Sequence, residues 1–169
     1  QHGLSIRPSR PKGVRLHEIC ERFGLTSDAS SAERETLTTG ATLDSRDVRH
    51  GDIYFALPGA RRHGAEFSAQ VEDRGATAIL TDETGATIIR EAGVRLPVLV
   101  APGDPRTILG DVSALVYATD NLAAKTFGIT GTNGKTSIVY LLDELMRAAG
   151  LKTGLSSTAE RRVGGTVIK

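Results

Sequence analysis

The sequence predicts an α/β protein in two parts. A small α/β domain covers residues 14–120, the first portion of a second α/β domain covers 121–169, and an extended arm precedes them at 1–13. Three observations lead there. Short apolar runs alternate with helix-patterned segments between residues 41 and 118. A polar connector at 120–125 interrupts that alternation. A fresh strand–turn–helix pattern then starts at Thr126.

The arm holds Arg7, Pro8, Arg10, Pro11 and Lys12 and reads as a solvated tail. In residues 15–23, Leu16, Ile19, Cys20 and Phe23 fall at helical spacing, with Gly24 as a C-terminal cap. Cys20 then faces the core as a structural thiol. The polar stretch 26–36 reads as a loop. A short strand follows at 41–43, then a turn at 47–51 and a strand at 53–57 that stops at Pro58-Gly59. A helix is expected over 66–74, where Phe67 and Val71 sit one turn apart and Gly75 caps. Strands are expected at 78–81 and 97–101, separated by a helix at 84–92 that Gly93 ends. Asp104-Pro105 is a strong helix start, an N-cap followed by Pro. The helix after it carries Ile108, Leu109, Val112, Leu115 and Val116 on one face and ends near Ala118. In the second part, a strand is expected at 126–130. A helix from Lys135 to Gly150 is expected to bury Ile138, Leu141, Leu142, Leu145 and Ala149. Another strand is expected at 153–156, and 163–167 reads as a hairpin.

Composition narrows the function. The chain has 169 residues, 39% of them apolar and 24% charged, which supports a packed core. A formal net charge of +1 supplies no overall basic field for nucleic acid. No apolar run reaches membrane-spanning length. A single cysteine excludes an internal disulfide and fits a reducing, cytoplasmic setting. His2, His17, His50 and His63 lack metal-ligand spacing, so no metal is assigned to them.

The chemistry-bearing stretch is Gly128-Ile129-Thr130-Gly131-Thr132-Asn133-Gly134-Lys135-Thr136-Ser137. Glycines at a strand-to-helix turn let successive backbone N–H groups point at an anion, and the helix N-terminus adds partial positive charge. Lys135 is placed to reach β- and γ-phosphates of ATP, and Thr136 to ligate Mg²⁺. The expected ATP-binding set is therefore Gly131, Thr132, Asn133, Gly134, Lys135, Thr136 and Ser137. The general pattern wants Gly six residues before the Lys. Here Ile129 stands there, and a Gly lies one place earlier.

Gly-Thr-Asn-Gly-Lys-Thr-Ser is the spelling seen in the Mur ligases and in the related folylpolyglutamate synthetases. A second stretch runs Leu43-Asp44-Ser45-Arg46-Asp47-Val48-Arg49-His50-Gly51-Asp52-Ile53-Tyr54-Phe55-Ala56-Leu57-Pro58-Gly59, then on to His63-Gly64 and Gly75-Ala76. It resembles the N-terminal, UDP-binding domain of the Mur ligases, which the folylpolyglutamate synthetases lack. The two motifs in this order resemble most closely the branch that adds the third residue of the peptidoglycan stem peptide. The resemblance implies a UDP-binding domain followed by the start of a central phosphate-loop domain, truncated here because the chain ends soon after Gly150.

The resemblance also implies site residues. Leu43 and Ser45 would lie against the UDP moiety, and the loop Ala60, Arg61, Arg62 would close over it. From spacing alone, Ser45 also reads as a turn-capping hydroxyl and the two arginines as a solvated loop. The implied reaction is ATP-dependent amide formation through an acyl phosphate. It joins a diamino acid to UDP-N-acetylmuramoyl-L-alanyl-D-glutamate, with ATP and Mg²⁺ required. No catalytic residue is expected in this stretch, and the 169 residues alone are expected to be inactive and monomeric. Ser156-Ser157-Thr158 departs from the Gly-Thr pair usual after the loop helix. The ligase that adds the terminal dipeptide, or a non-catalytic module that binds a nucleotide sugar, are the other readings.

Overall fold

The computed structural model describes residues 7–8, 11–120 and 123–168. The chain divides into two units whose main bodies are Pro8–Leu122 and Ala123–Lys169. Most of the arm expected at 1–13 lies outside the described residues.

In the first unit, β1 (Val14–Arg15) leads directly into α1 (Leu16–Phe23), which buries Leu16, Ile19 and Cys20 and ends on Gly24. Residues 26–36 are not the loop expected of them. They form β2 (Thr26–Ser27) and the short α2 (Ser31–Arg34). A capping box makes α2: the Glu33 N–H donates to Ser30 Oγ at 3.3 Å, and the Glu33 carboxylate accepts from the Ser30 N–H at 2.7 Å. Next, β3 (Leu37–Thr38) pairs antiparallel with β1.

The strands β4 (Gly40–Thr42) and β5 (Asp52–Ala56) follow, the first one residue earlier than expected. A 3-10 turn at Gly64–Phe67 precedes α3 (Ser68–Asp73), then β6 (Ala78–Thr81), α4 (Glu83–Glu91) and β7 (Val98–Val100). Asp104 caps a second 3-10 turn, Pro105–Thr107, ahead of α5 (Leu109–Tyr117).

Five strands make the main sheet, in the order β2-β7-β6-β5-β4. The four from β4 to β7 are parallel, and β2 joins β7 antiparallel. Side chains alternate across the sheet. Ile53, Phe55, Ala78, Leu80 and Leu99 face α1 and α5 through Leu16, Ile19, Val112 and Val116. Tyr54, Ala56, Ile79, Val98 and Val100 face α3 and α4 through Val71, Ala86 and Ile89. The result is a three-layer α/β/α unit. The open edge of β4 is closed at Ala41, whose N–H donates to Tyr117 Oη at 3.0 Å while that hydroxyl donates to Ala41 O at 3.3 Å.

Beyond β4 the chain turns on Asp44. Its carboxylate accepts from the Arg46 N–H at 2.9 Å and from the Arg46 guanidinium at 3.0 and 2.8 Å. These bonds hold the Asp44 carboxyl down at about 2, below its ordinary 3.8.

In the second unit, α6 (Lys135–Ala148) is followed by β8 (Gly154–Ser156), β9 (Arg161–Val163) and β10 (Thr166–Ile168). The three strands form an antiparallel sheet in which β9 and β10 make the expected hairpin. Asp143 is buried on α6 and accepts from Thr153 Oγ1 at 2.6 Å and from the Arg162 guanidinium.

Two expectations fail here. Residues 126–130 form no strand, because none of the described strands pairs with them and their backbone is largely exposed. The apolar face of α6 is not buried: Ile138, Leu141 and Leu145 are 51–60% exposed, Ala149 is exposed and Leu142 is half-buried. The helix is held instead through Asp143, and nothing among the described residues covers the Ile138–Leu141–Leu145 stripe.

Two outcomes are expected. Ile79→Ala, at a position with no solvent exposure between two helical layers, destabilises the sheet unit by about 2–5 kcal/mol in denaturant unfolding; a loss below about 1 kcal/mol contradicts the packing. The Asp44 carboxyl, followed by its NMR shift against pH, titrates near 2, and Arg46→Ala returns it toward 3.8. Because the folded value is depressed, the turn's contribution is full above 3.8 and is lost as pH falls through about 2.

Candidate functional site

Because β4, β5 and β6 are adjacent and parallel, their C-terminal ends open on one edge of the sheet. That edge is where loops of an open α/β sheet gather ligands. The sequence-predicted residues Leu43 and Ser45 follow β4, and Ala60, Arg61 and Arg62 follow β5, so the topology brings both groups to it.

Leu43 is 52% exposed. Ser45 is only 8% exposed, more enclosed than a ligand-facing hydroxyl is expected to be. The Asp44 turn tucks it in, with the Asp47 N–H donating to Asp44 O at 3.0 Å.

The loop after β5 is closed on itself. Pro58 and His63 form an antiparallel bridge, the Gly59 N–H donates to Arg62 O at 2.9 Å, and the Gly64 N–H donates to Leu57 O at 2.8 Å. Tyr54 Oη donates to Gly64 O at 3.1 Å, and burial pushes that phenol's pKa up, so it stays a donor. The Arg106 guanidinium binds Pro58 O. Ala60, Arg61 and Arg62 sit at the exposed tip, with Arg62 Nε 3.6 Å from Glu66 Oε2. Two exposed guanidinium groups on a loop whose backbone is closed on itself are chemically suited to an oxyanion.

Reading the sequence alone counted His63 in the resembling stretch and excluded it as a metal ligand, but gave it no role, and it passed over Asp82. The structure joins them, His63 Nε2 lying 3.1 Å from Asp82 Oδ1. For Asp82 a signal was present, since Asp three residues before Gly85 at a helix start is an N-cap pattern.

In the second unit, Gly131 and Gly134 have φ of 144° and 76°, values that side-chain-bearing residues rarely adopt, and they let the loop turn onto α6. Gly134 occupies the N-cap, so Lys135, Thr136 and Ser137 form the first helical turn. Residues 131–135 are exposed, as is Ser137, and Thr136 is half-buried. Lys135 Nζ turns back on its own loop, donating to Gly131 O and lying 3.5 Å from Thr132 O. The ammonium is thus satisfied by carbonyls of its own loop. No group of three or more His, Cys, Asp and Glu able to hold a metal occurs among the described residues. No described helix is long and apolar enough to cross a membrane.

Comparison with known proteins extends the match to nearly the whole chain. Residues 38–112 match the family model described as Mur ligase family, catalytic domain. The chain is 45% identical over 162 residues to UDP-N-acetylmuramoyl-L-alanyl-D-glutamate–2,6-diaminopimelate ligase of Streptomyces avermitilis, covering 96% of this chain and 31% of that protein. It is 44% identical over 162 residues to UDP-N-acetylmuramyl-tripeptide synthetase of Leifsonia xyli subsp. xyli, covering 95% of this chain and 30% of that one. A solved UDP-N-acetylmuramoyl-L-alanyl-D-glutamate–2,6-diaminopimelate ligase shares the fold at a TM-score of 0.64 and 25% identity, over 92% of this chain and 30% of that chain. MurF from Acinetobacter baumannii shares the fold at a TM-score of 0.62 and 22% identity, over 82% of this chain and 28% of that chain. The chain thus spans about three tenths of the length of these relatives. Sequence likeness along nearly all of its length, the shared fold and the matching family model lead to one conclusion: the chain carries a Mur ligase family domain, matched over residues 38–112.

Proposed function

We propose that this chain carries the UDP-binding domain (14–120) and the start of the ATP-binding domain (121–169) of an ATP-dependent, cytoplasmic ligase of peptidoglycan precursor synthesis. Its substrate is UDP-N-acetylmuramoyl-L-alanyl-D-glutamate, to which a diamino acid is added. The observation that carries this reading is the 44–45% identity, over 95–96% of the chain, to proteins named for that substrate or that product.

The two sheet-edge loops support the first half of the task. Leu43 offers an exposed apolar face to a uracil, Ser45 a hydroxyl beside it, and Arg61 and Arg62 offer guanidinium groups to the pyrophosphate. Ala60 keeps the loop tip small enough for close approach. The turn at 131–137 supports the second half. Gly131, Thr132, Asn133 and Gly134 lead into the N-terminus of α6, whose free backbone N–H groups suit a phosphate, with Ser137 in its first turn. Lys135 exchanges its carbonyl partners for β- and γ-phosphate oxygens.

The single hydroxyl of Thr136, half-buried at that first turn, suits Mg²⁺, which takes few protein ligands and fills its shell with phosphate oxygens and water. When bound, that ion supplies neutralisation of phosphate charge. In the complete reaction a substrate carboxylate attacks the γ-phosphorus and releases ADP. The amine then attacks the acyl carbon and releases phosphate. These 169 residues bind, orient and neutralise, but they do not turn over by themselves.

Calorimetry on the 169-residue chain tests this reading. UDP-N-acetylmuramoyl-L-alanyl-D-glutamate binds, and the double variant Arg61→Ala/Arg62→Ala weakens it by roughly 10- to 100-fold, the range for losing charge-assisted bonds. Mg-ATP binds independently, and Lys135→Ala removes that binding. Absence of both heats from the parent chain, or release of ADP when the amino acid is added, contradicts the proposal.

A further inference from the structure

The loop that carries Arg61 and Arg62 is anchored by one side chain that no role yet covers. His63 is 10% exposed and sits between two corners of the sheet edge. Its Nδ1 accepts from the Ala65 N–H at 3.0 Å, as cap of the 3-10 turn. Its Nε2 lies 3.1 Å from Asp82 Oδ1, which also accepts from the Gly85 N–H at 2.7 Å as cap of α4. A ring whose Nδ1 accepts a backbone N–H carries its proton on Nε2 and donates it to the carboxylate. One tautomer thus ties the end of the β5 loop to the end of β6.

Space for the ring is provided separately. A Cβ on Gly85 would stand 2.6 Å from His63 Cε1 and would also strike Thr81 Oγ1, so only glycine there admits the imidazole. The backbone bridge between Pro58 and His63 then passes the anchor on to the loop tip.

We propose that His63, held by Asp82 as the Nε2–H tautomer, is a positioning residue for the Arg61–Arg62 loop and so for recognition of the nucleotide-sugar pyrophosphate. This rests on the proposed UDP-binding reading. His63 touches no ligand; it acts by keeping two rotamer-rich guanidinium groups on a loop already in its binding shape. Preorganisation of that kind is worth on the order of tenfold in Kd.

Three variants separate the clasp from general stability. His63→Ala removes it. Asp82→Ser keeps a capping oxygen for the Gly85 N–H but is too short to reach the ring. Asp82→Asn keeps an acceptor for both donors. Binding of UDP-N-acetylmuramoyl-L-alanyl-D-glutamate is measured by calorimetry, and the His63 ring nitrogens are read by NMR in the parent chain. The expected result is an Nε2-protonated ring. Binding is about tenfold weaker in His63→Ala and Asp82→Ser, and near parental in Asp82→Asn. Parental affinity in His63→Ala, equal losses in Asp82→Ser and Asp82→Asn, or an Nδ1-protonated ring overturns this inference and leaves the UDP-binding reading standing. No binding by the parent chain overturns that reading and the inference with it.

Discussion

Burial of both faces of the β4–β7 ladder is the constraint on which the rest of the first unit depends. A parallel sheet has no wet side, so each strand must present apolar side chains above and below. Ile53, Tyr54 and Phe55 do this in succession, as do Ile79 with Leu80 and Val98 with Leu99. Each such side chain contributes about 1.5–3 kcal/mol when fully buried. That burial requires a helical layer on each face, α1 and α5 on one and α3 and α4 on the other. Once the faces are covered, the strand ends are the places left for polar chemistry.

Those ends are held by short-range polar bonds rather than by packing. Asp44 binds Arg46, Asp82 caps α4, Asp104 caps the turn before α5, and His63 caps the 3-10 turn. Each satisfies backbone donors that would otherwise face solvent at an element's start. The consequence is a rim of capped turns whose projecting groups include Leu43, Arg61 and Arg62. On the proposed UDP-binding reading, a rim of fixed caps with cations projecting from it leaves less ordering to be done when an anionic ligand arrives.

The second unit shows the limit of periodicity. The spacing of Ile138, Leu141 and Leu145 correctly gives a helix and its apolar stripe, yet the stripe is exposed and the buried residue is Asp143. Periodicity says which residues share a face. It does not say that a partner surface is there to cover it. The same reasoning applies to residues 126–130, which have strand composition but no ladder to join.

Several features were decided locally and could be read directly. The continuous apolar run of Ile53 to Ala56, the Gly24 helix end and the glycine turn before Lys135 are each legible in a few adjacent residues. The capping box at Ser30-Ser31-Ala32-Glu33 was equally local, although a polar stretch hid it. The tertiary structure alone decided what depends on strands meeting: that Leu43 and the Arg61–Arg62 loop share one edge, that Ser45 is tucked into its turn, and that His63 reaches Asp82 across nineteen positions of chain. Such contacts are set by strand order and register, which link residues distant in sequence and leave no periodic trace in either segment.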